Sequence, residues 1–125
     1  MEVSVDMQDY SIKKLSVNDF EKIKTEDGVI YELIDGLAVM SRPSIRHQRI
    51  LTRLISELHQ KFKNKLCETY SEIEIKLNED IFVPDISIIC DESKFTNQRY
   101  NGSPVLIVEI LSQGNQYNDT FIKLN

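Results

Sequence analysis

The sequence predicts one domain of the α/β (α+β) class, in which a mixed central sheet is flanked by helices. Three observations predict this class. Two segments carry apolar residues at helical spacing, several shorter segments are apolar or alternate apolar with polar residues, and turn residues separate them. With 125 residues, of which 41% are hydrophobic, the chain is large enough for one core. We therefore expect residues 1–125 to form a single domain.

A short helix and a hairpin are predicted first. Ser16 is a suitable N-cap for a helix that continues to about Lys24, with Phe20 and Ile23 on its inner side. In the segment that follows, VIYELIDGLAVMS, two apolar runs flank Asp35-Gly36. Because an Asp-Gly pair readily adopts the positive φ angles of a tight turn, this pattern is a strong hairpin signal.

A long helix is predicted after Ser44, over IRHQRILTRLISELHQKFKNK. Its apolar residues recur at the spacing of one helical face, which is typical of a helix that packs against a sheet. These residues are Ile50, Leu51, Leu54, Ile55, Leu58 and Phe62.

The second half of the chain is predicted to consist mainly of strands. CETYSEIEIKL alternates from Tyr70 to Leu77, and IFVPDISIIC forms another strand after a turn at NED. Residues 91–104 are expected to be a loop, and VLIVEIL (105–111) a strand that is buried on both faces. The last residues, DTFIKLN, begin a helix without a C-terminal signal. We expect the C-terminal part of the fold to be missing, or a partner chain to supply it.

The overall charge and the cysteines limit the class of protein. A formal net charge of -5 and a pI near 5.0 argue against broad attraction to nucleic acid or to a membrane, although a local basic face remains open. Cys67 and Cys90 form no CxxC pattern, so we expect the buried, reduced thiols of a cytoplasmic protein. No apolar run reaches the roughly 18 residues of a membrane span, and no signal peptide opens the chain.

Two carboxylates interrupt apolar strands. Glu109 lies inside VLIVEIL, and Asp85 lies inside FVPDISII directly after Pro84. An unpaired buried carboxylate costs several kcal/mol, so each must have a partner. Glu109 is either satisfied structurally, by an arginine or at a strand end, or acts as a metal ligand or general acid or base. Asp85 is either an ordinary bulge aspartate or, with Glu109, one of two oxygen ligands of a hard cation such as Mg²⁺ or Mn²⁺.

Two further polar residues share a face with apolar ones. In VIYELID, Glu32 is on the same strand face as Ile30 and Ile34, so it faces either solvent or the same cavity as the two carboxylates. His47 falls in the middle of the apolar arc of the long helix. It is either a core histidine or, beside carboxylates, a group that binds phosphate or transfers a proton.

The basic residues with a definite geometry lie on the long helix. Arg46, Arg49 and Arg53 form a narrow stripe beside the apolar arc. They are either a solvated face paired with Glu57 or an edge that contacts phosphate groups. Lys123 lies four residues after Asp119 on the predicted last helix, a spacing that ordinary surface ion pairs also have.

Five stretches of the chain occur in an order that resembles the Uma-type restriction endonuclease family: YELIDG, PSIRHQRIL, VPDISIICD, VEILS and NDTFIKLN. This family has been catalogued as a domain of unknown function and is placed in the PD-(D/E)XK nuclease superfamily. The resemblance covers nearly all of residues 10–125. It implies a restriction-endonuclease-like mixed central sheet between helices, with a divalent-metal site on the two middle strands.

The resemblance also implies roles for individual residues. Asp85 matches the PD aspartate and Glu109 the second acidic residue, so both would bind Mg²⁺ (or Mn²⁺). The lysine of the usual E-x-K motif is absent, because position 111 is Leu111, and Lys123 matches a lysine on the following helix. Glu32 and His47 match polar positions near the same cleft. The expected activity is metal-dependent hydrolysis of phosphodiester bonds in DNA.

Two departures from the family pattern keep other functions open. Gln113-Gly114 replaces the Pro-Ser that family members often carry after VEILS, and the strands that usually follow are missing. A non-catalytic binding or scaffold module is therefore an alternative, and hydrolysis of a small phosphoester is a third possibility. Because the missing strands would leave a sheet edge unpaired, we expect a homodimer.

Overall fold

A computed structural model of the chain describes residues 14–111. The predicted last helix, and with it Lys123, lies outside these residues. The described part contains both helices and strands along one chain, so the predicted α/β (α+β) class is confirmed. The elements are α1 Val17–Glu21, β1 Ile30–Ile34, β2 Leu37–Ser41, α2 Ile45–Phe62, β3 Glu68–Ser71, β4 Ile75–Leu77, β5 Asp80–Phe82, β6 Ile86–Ile89, a 3-10 turn Glu92–Lys94 and β7 Leu106–Val108.

The strands form two sheets. One sheet has four strands in the order β2-β1-β5-β4, and the other has three in the order β3-β6-β7. Every pair of neighbouring strands within these two sheets is antiparallel. The sequence predicted one central sheet; the division into two arises because two segments that were each predicted to be one strand are broken in the middle.

The breaks lie at Glu72 and Pro84. Glu72 follows β3 with a φ of 50°, in the left-handed region, and its main-chain N–H donates to the carbonyl of Asp85 at 3.1 Å. Pro84 separates β5 from β6 because it has no N–H to donate to a ladder. The prediction of single strands over 70–77 and 81–90 was wrong: the apolar positions shift by one residue between Tyr70 and Ile73, and Pro84 interrupts the second segment.

The N-terminal predictions are confirmed. The Ser16 side chain accepts from the main-chain N–H of Asp19, and the Asp19 side chain accepts from the N–H of Ser16, which together form a capping box at the start of α1. Asp35 and Gly36 connect β1 to β2 with φ angles of 49° and 77°. Both residues of the turn therefore have the positive φ that a two-residue hairpin requires.

Helix α2 lies on the three-stranded sheet, as its periodicity predicted. Ser44 caps it by accepting from the main-chain N–H of His47 at 3.1 Å. Leu51 is buried against Ile86 and Ile88 of β6. The apolar side chains that complete this cluster are Leu54, Ile55, Leu58, Phe62, Cys67, Val108 and Ile110. No helix within residues 14–111 is both long and apolar enough to cross a membrane.

The cysteines are joined, which corrects the prediction of free thiols. Cys67 and Cys90 form a disulfide. The register of β3 and β6 pairs Glu68 with Ile89, so the residues one step further along each strand face each other. This proximity depends on the register of two strands, and a spacing of 23 residues contains no information about it.

The segment VLIVEIL also differs from its prediction as a doubly buried strand. Only Leu106–Val108 form β7, which pairs with β6 on one side. Among the described residues no strand pairs with its other side. Four of its apolar side chains are substantially exposed: Val105 66%, Leu106 46%, Ile107 44% and Leu111 45%.

Candidate functional site

The centre of the candidate site is Asp85, which follows Pro84 and precedes β6. It is buried, with 3% of its surface exposed. Its Oδ2 accepts a hydrogen bond of 2.6 Å from the main-chain N–H of Ile110. Its Oδ1 lies 3.3 Å from Nε2 of His47. The carboxylate is therefore held between the residues that follow β7 and the first turn of α2.

His47 reaches Asp85 because α2 turns this residue toward the sheet, as its position in the apolar arc predicted. Its Nε2 is buried, and within residues 14–111 it has no partner with hydrogen-bond geometry. Nε2 of His47 thus lies 3.3 Å from Oδ1 of Asp85 without forming a well-aligned hydrogen bond. A buried polar atom without a hydrogen bond is uncommon, and at this place it indicates a position that a ligand or water can satisfy.

Glu109 directly follows β7, and Asp85 directly precedes β6. The ladder of these two strands pairs Ile86 with Val108. Continuing this antiparallel register by one residue places Asp85 opposite Glu109. The two acidic residues therefore flank neighbouring strands, and a metal ion shared by their carboxylates stays a prediction.

Glu32 lies on β1 and is almost completely buried, with 2% of its surface exposed. Its Oε2 accepts a hydrogen bond of 2.9 Å from the main-chain N–H of Val83. Glu32 and the half-buried Glu109 line one cavity of about 180 Å³. The other side chains of this cavity are Ile75, Leu77, Phe82, Pro84 and Ile107.

The short segment from Val83 to Asp85 joins these groups. Glu32 holds its first residue through the N–H of Val83, and the N–H of Ile110 binds the side chain of its last residue. The structure thus brings Asp85 together with His47, and Glu32 together with Glu109. Pro84 directly precedes Asp85 in the chain, and it also lines the cavity that contains Glu32 and Glu109.

Comparison with known proteins agrees with this arrangement. The model of the Uma2 family, described as "Putative restriction endonuclease", matches residues 17–125. The chain belongs to the Uma2 family. The match includes both sheets and every residue of the candidate site, so the resemblance seen in five short stretches extends over most of this Uma2 chain.

A solved structure supports the fold of the Uma2 chain. It is a crystal structure of "a putative nuclease belonging to DUF820" from Anabaena variabilis ATCC 29413, with a TM-score of 0.67 and 19% sequence identity. The similarity covers 86% of this chain and 66% of that one, so the Uma2 chain spans just under two thirds of that protein. No protein with a curated description matches the chain.

The side chains of the Uma2 site fit a hard divalent cation by their chemistry. Asp85 and Glu109 offer carboxylate oxygens, which Mg²⁺ and Mn²⁺ prefer, and the orphaned Nε2 of His47 lies beside Asp85. Across the described part of the chain, however, no three His, Cys, Asp or Glu side chains are gathered closely enough to hold an ion. The possible metal ligands are instead present as two separate pairs, Asp85 with His47 and Glu32 with Glu109.

The remaining predicted residues of the Uma2 chain are the three arginines of α2 and Lys123. Arg46, Arg49 and Arg53 are exposed on α2. Their predicted alternative, an ion pair with Glu57, is not formed in the described structure, which spans residues 14–111. The position of Lys123 lies outside that range, so its predicted role is not tested.

Sequence reasoning missed three contacts of the site. The main-chain N–H groups of Val83 and Ile110 carry no signal in a sequence, because every residue except proline has one. The third contact joins Gln48, next to His47, to Glu72, with Nε2 donating to Oε1 at 3.2 Å. It links α2 to the break after β3, where Glu72 has a left-handed φ of 50°.

Proposed function

We propose that this chain is a metal-dependent endonuclease that hydrolyses phosphodiester bonds in DNA. The observation that carries the proposal is the buried Asp85 carboxylate, which is held by the N–H of Ile110 and approached by Nε2 of His47. Membership of the Uma2 family supports the same reaction class.

In this proposal Asp85 and Glu109 hold Mg²⁺ or Mn²⁺, together with the main-chain carbonyl of Ile110. When bound, the ion would supply Lewis-acid stabilisation of the charge that develops on the phosphate and would make a water molecule more acidic. Asp85 is already oriented for this task, since one of its oxygens is fixed by the 2.6 Å bond from Ile110. The opposing register position of Glu109 brings the second carboxylate to the same end of the strand pair.

The other residues bind or orient the substrate. His47 would donate a hydrogen bond to a phosphate oxygen or transfer a proton, because its buried Nε2 has no hydrogen bond of its own within residues 14–111. Glu32 would keep the segment from Val83 to Asp85 in place through the 2.9 Å bond to Val83. Lys123 would orient or deprotonate the attacking water. Arg46, Arg49 and Arg53 would contact the DNA backbone.

A plasmid-nicking assay tests the proposed reaction. Wild-type protein is incubated with supercoiled DNA in EDTA, Mg²⁺ or Mn²⁺, and Glu109→Gln is compared with the exposed control Glu79→Gln. We expect metal-dependent nicking that Glu109→Gln abolishes and the control retains. No nicking by the wild type with either metal, or full activity of Glu109→Gln, would contradict the proposal.

A non-catalytic binding module is the second candidate. The observation that favours it is that the Asp, Glu and His side chains of residues 14–111 do not form a set of three ligands. Calorimetric titration with Mg²⁺ and Mn²⁺ distinguishes the two functions. Binding to the wild type but not to Asp85→Asn supports the nuclease, whereas no binding to either protein supports the module.

The assembly and location are also proposals. The side of β7 that no described strand covers presents main-chain groups and apolar side chains, which favours a homodimer. A DNA substrate would place the protein in the cytoplasm. The Cys67–Cys90 disulfide argues in the other direction, since reducing compartments seldom preserve such bonds. Sedimentation of the full chain and thiol labelling inside intact cells test the two points.

A further inference from the structure

The positive charge of the protein is concentrated in one segment, residues 42–65. This segment carries seven of the 15 Lys and Arg residues and one of the 20 Asp and Glu residues, a formal net charge of +6. The rest of the chain carries eight basic and 19 acidic residues, a net charge of -11. The overall charge of -5 therefore conceals a strongly basic helix on an acidic body.

The basic residues of this segment are exposed and largely unpaired. All seven of its Lys and Arg residues are exposed to solvent. Within residues 14–111, Arg42 is the one member with an ion pair, a contact of 3.7 Å with Glu26. Some basic residues elsewhere in the same range are paired: Lys14 with Asp35, Lys94 with Asp91, and Arg99 with Glu21 and Glu74. Apart from the contact of Arg42, the positive charge of residues 42–65 is thus not neutralised by ion pairs with acidic residues in the described part of the chain.

The basic residues of α2 lie on and around one flank of the helix. At 100° per residue, Arg46 and Arg53 fall beside the apolar arc, Lys61 falls at its edge, and Arg49 points away from the sheet. Glu57 falls between Arg46 and Lys61, so this flank also carries one acidic residue. The other flank is neutral and carries Gln48, which bonds to Glu72 beside β3. Because β3 and β7 lie on opposite sides of β6, the basic flank is on the side of β7 and Glu109.

We propose that this flank continues past the helix end through Lys63 and Lys65 and forms a track for the phosphate backbone of duplex DNA. We call it the α2 track; it consists of Arg46, Arg49, Arg53, Lys61, Lys63 and Lys65. Helix α2 has 18 residues and is about 27 Å long at 1.5 Å per residue. One strand of duplex DNA carries a phosphate for about every 3.4 Å of the duplex axis, so a helix of this length that lies along the axis would span roughly eight base pairs.

The proposal of the α2 track rests on the proposed function, which supplies the identity of its ligand as DNA. It assigns a long polyanion as substrate and not a small phosphoester, because the lysines at the helix end lie far from Asp85. An anionic membrane is a poorer partner. A helix that binds a membrane surface inserts its apolar face, whereas the apolar face of α2 is packed against β6 through Leu51.

The test is the salt dependence of DNA binding by the full chain. Affinity for a fluorescently labelled 20-base-pair duplex is measured by anisotropy in EDTA at several salt concentrations, which separates binding from cleavage. Lys63→Gln/Lys65→Gln is compared with Lys22→Gln/Lys24→Gln. Both pairs start at the C-cap of a helix and are exposed, and both variants change the net charge equally.

We expect the plot of log affinity against log salt to lose about 2 units of slope in Lys63→Gln/Lys65→Gln, since each phosphate contact contributes about 0.9. The Lys22→Gln/Lys24→Gln variant should keep the wild-type slope. Equal slopes in the two variants, or stronger binding of the wild type to phosphatidylserine vesicles than to the duplex, would overturn the proposal. Because the assay needs no cleavage, its failure is distinguishable from failure of the nuclease assignment.

Discussion

The main-chain N–H of Ile110 donates to Oδ2 of Asp85 at 2.6 Å, across 25 residues of sequence. This bond joins the residue after Glu109 to the residue before β6. It accounts for one oxygen of a carboxylate that is only 3% exposed, and it leaves the other oxygen facing His47. The hydrogen bond from Ile110 thereby offsets part of the cost of burying the Asp85 carboxylate and also fixes its orientation.

Substitutions of Asp85 distinguish its contribution to stability from its contribution to metal binding and nicking. Asp85→Asn keeps an oxygen that accepts from Ile110, so its free energy of unfolding should stay close to that of the wild type. Asp85→Ala leaves this N–H without an acceptor and should cost about 1–3 kcal/mol. Both variants should lose metal binding and nicking. Urea unfolding and calorimetry measure the two effects, and equal destabilisation by Asn and Ala would show that the bond to Ile110 contributes little.

Glu32 should be important for the position of Asp85. Glu32→Gln retains an oxygen that accepts from the N–H of Val83, whereas Glu32→Ala removes it and should lower the free energy of unfolding by about 1–3 kcal/mol. We expect Glu32→Ala to reduce nicking more than Glu32→Gln does. Glu79→Gln, on an exposed residue, is the control for loss of charge alone. An alanine variant as stable as the wild type would contradict the proposed positioning.

Lys123 should affect chemistry and not metal binding. An ammonium group does not coordinate a cation, so Lys123→Ala should leave the affinity for Mg²⁺ nearly unchanged. The rate of nicking should fall by about 10²–10⁴-fold, the usual contribution of one positioned acid or base. Single-turnover kinetics and calorimetry on the same preparation provide the comparison. Full activity of Lys123→Ala would remove this residue from the site.

The Cys67–Cys90 disulfide should stabilise the three-stranded sheet. It links β3 to β6 over a separation of 23 residues. Removing a disulfide that closes a loop of this length should lower the free energy of unfolding by about 3 kcal/mol. We expect dithiothreitol to lower the melting temperature of the wild type and to have no effect on Cys67→Ser/Cys90→Ser. Rapid alkylation of both thiols in the native protein, without a reductant, would show that they are free.

Stability should decrease in alkaline solution through Tyr70. Burial, followed by the hydrogen bond and charge of Glu68, raises the pKa of Tyr70 from 10.0 to about 12. The folded state therefore keeps a proton that the unfolded chain loses, so this contribution is complete below about pH 10 and is lost as the pH rises toward 12.

Tyr70→Phe removes the titrating group and should reduce the fall in unfolding free energy between about pH 9 and about pH 11. Urea unfolding at several pH values measures this slope. Burial also raises the pKa of Tyr100, so Tyr70→Phe should leave a residual slope of the same sign. An unchanged slope in the Phe variant would show that the phenol of Tyr70 titrates normally in the fold.

The sequence by itself determined the elements whose signals are local. Ser16 and Ser44 start the two helices, and Asp35-Gly36 turns the hairpin, because each acts on main-chain groups within about three residues. The inward direction of His47 followed from helical periodicity alone. The acidic residues Asp85 and Glu109 were conspicuous because a charge inside an apolar strand is costly.

Only the tertiary structure decided which distant groups meet. Glu32 binds the N–H of Val83 across 51 residues, and Cys67 meets Cys90 through the register of β3 and β6. The sequence shows a proline at position 84 and a shift of the apolar positions at Glu72, but not that these two breaks separate two sheets. The physical reason is that strand pairing is made by main-chain groups, which are nearly the same in every residue, so the partner is selected by packing of the whole fold.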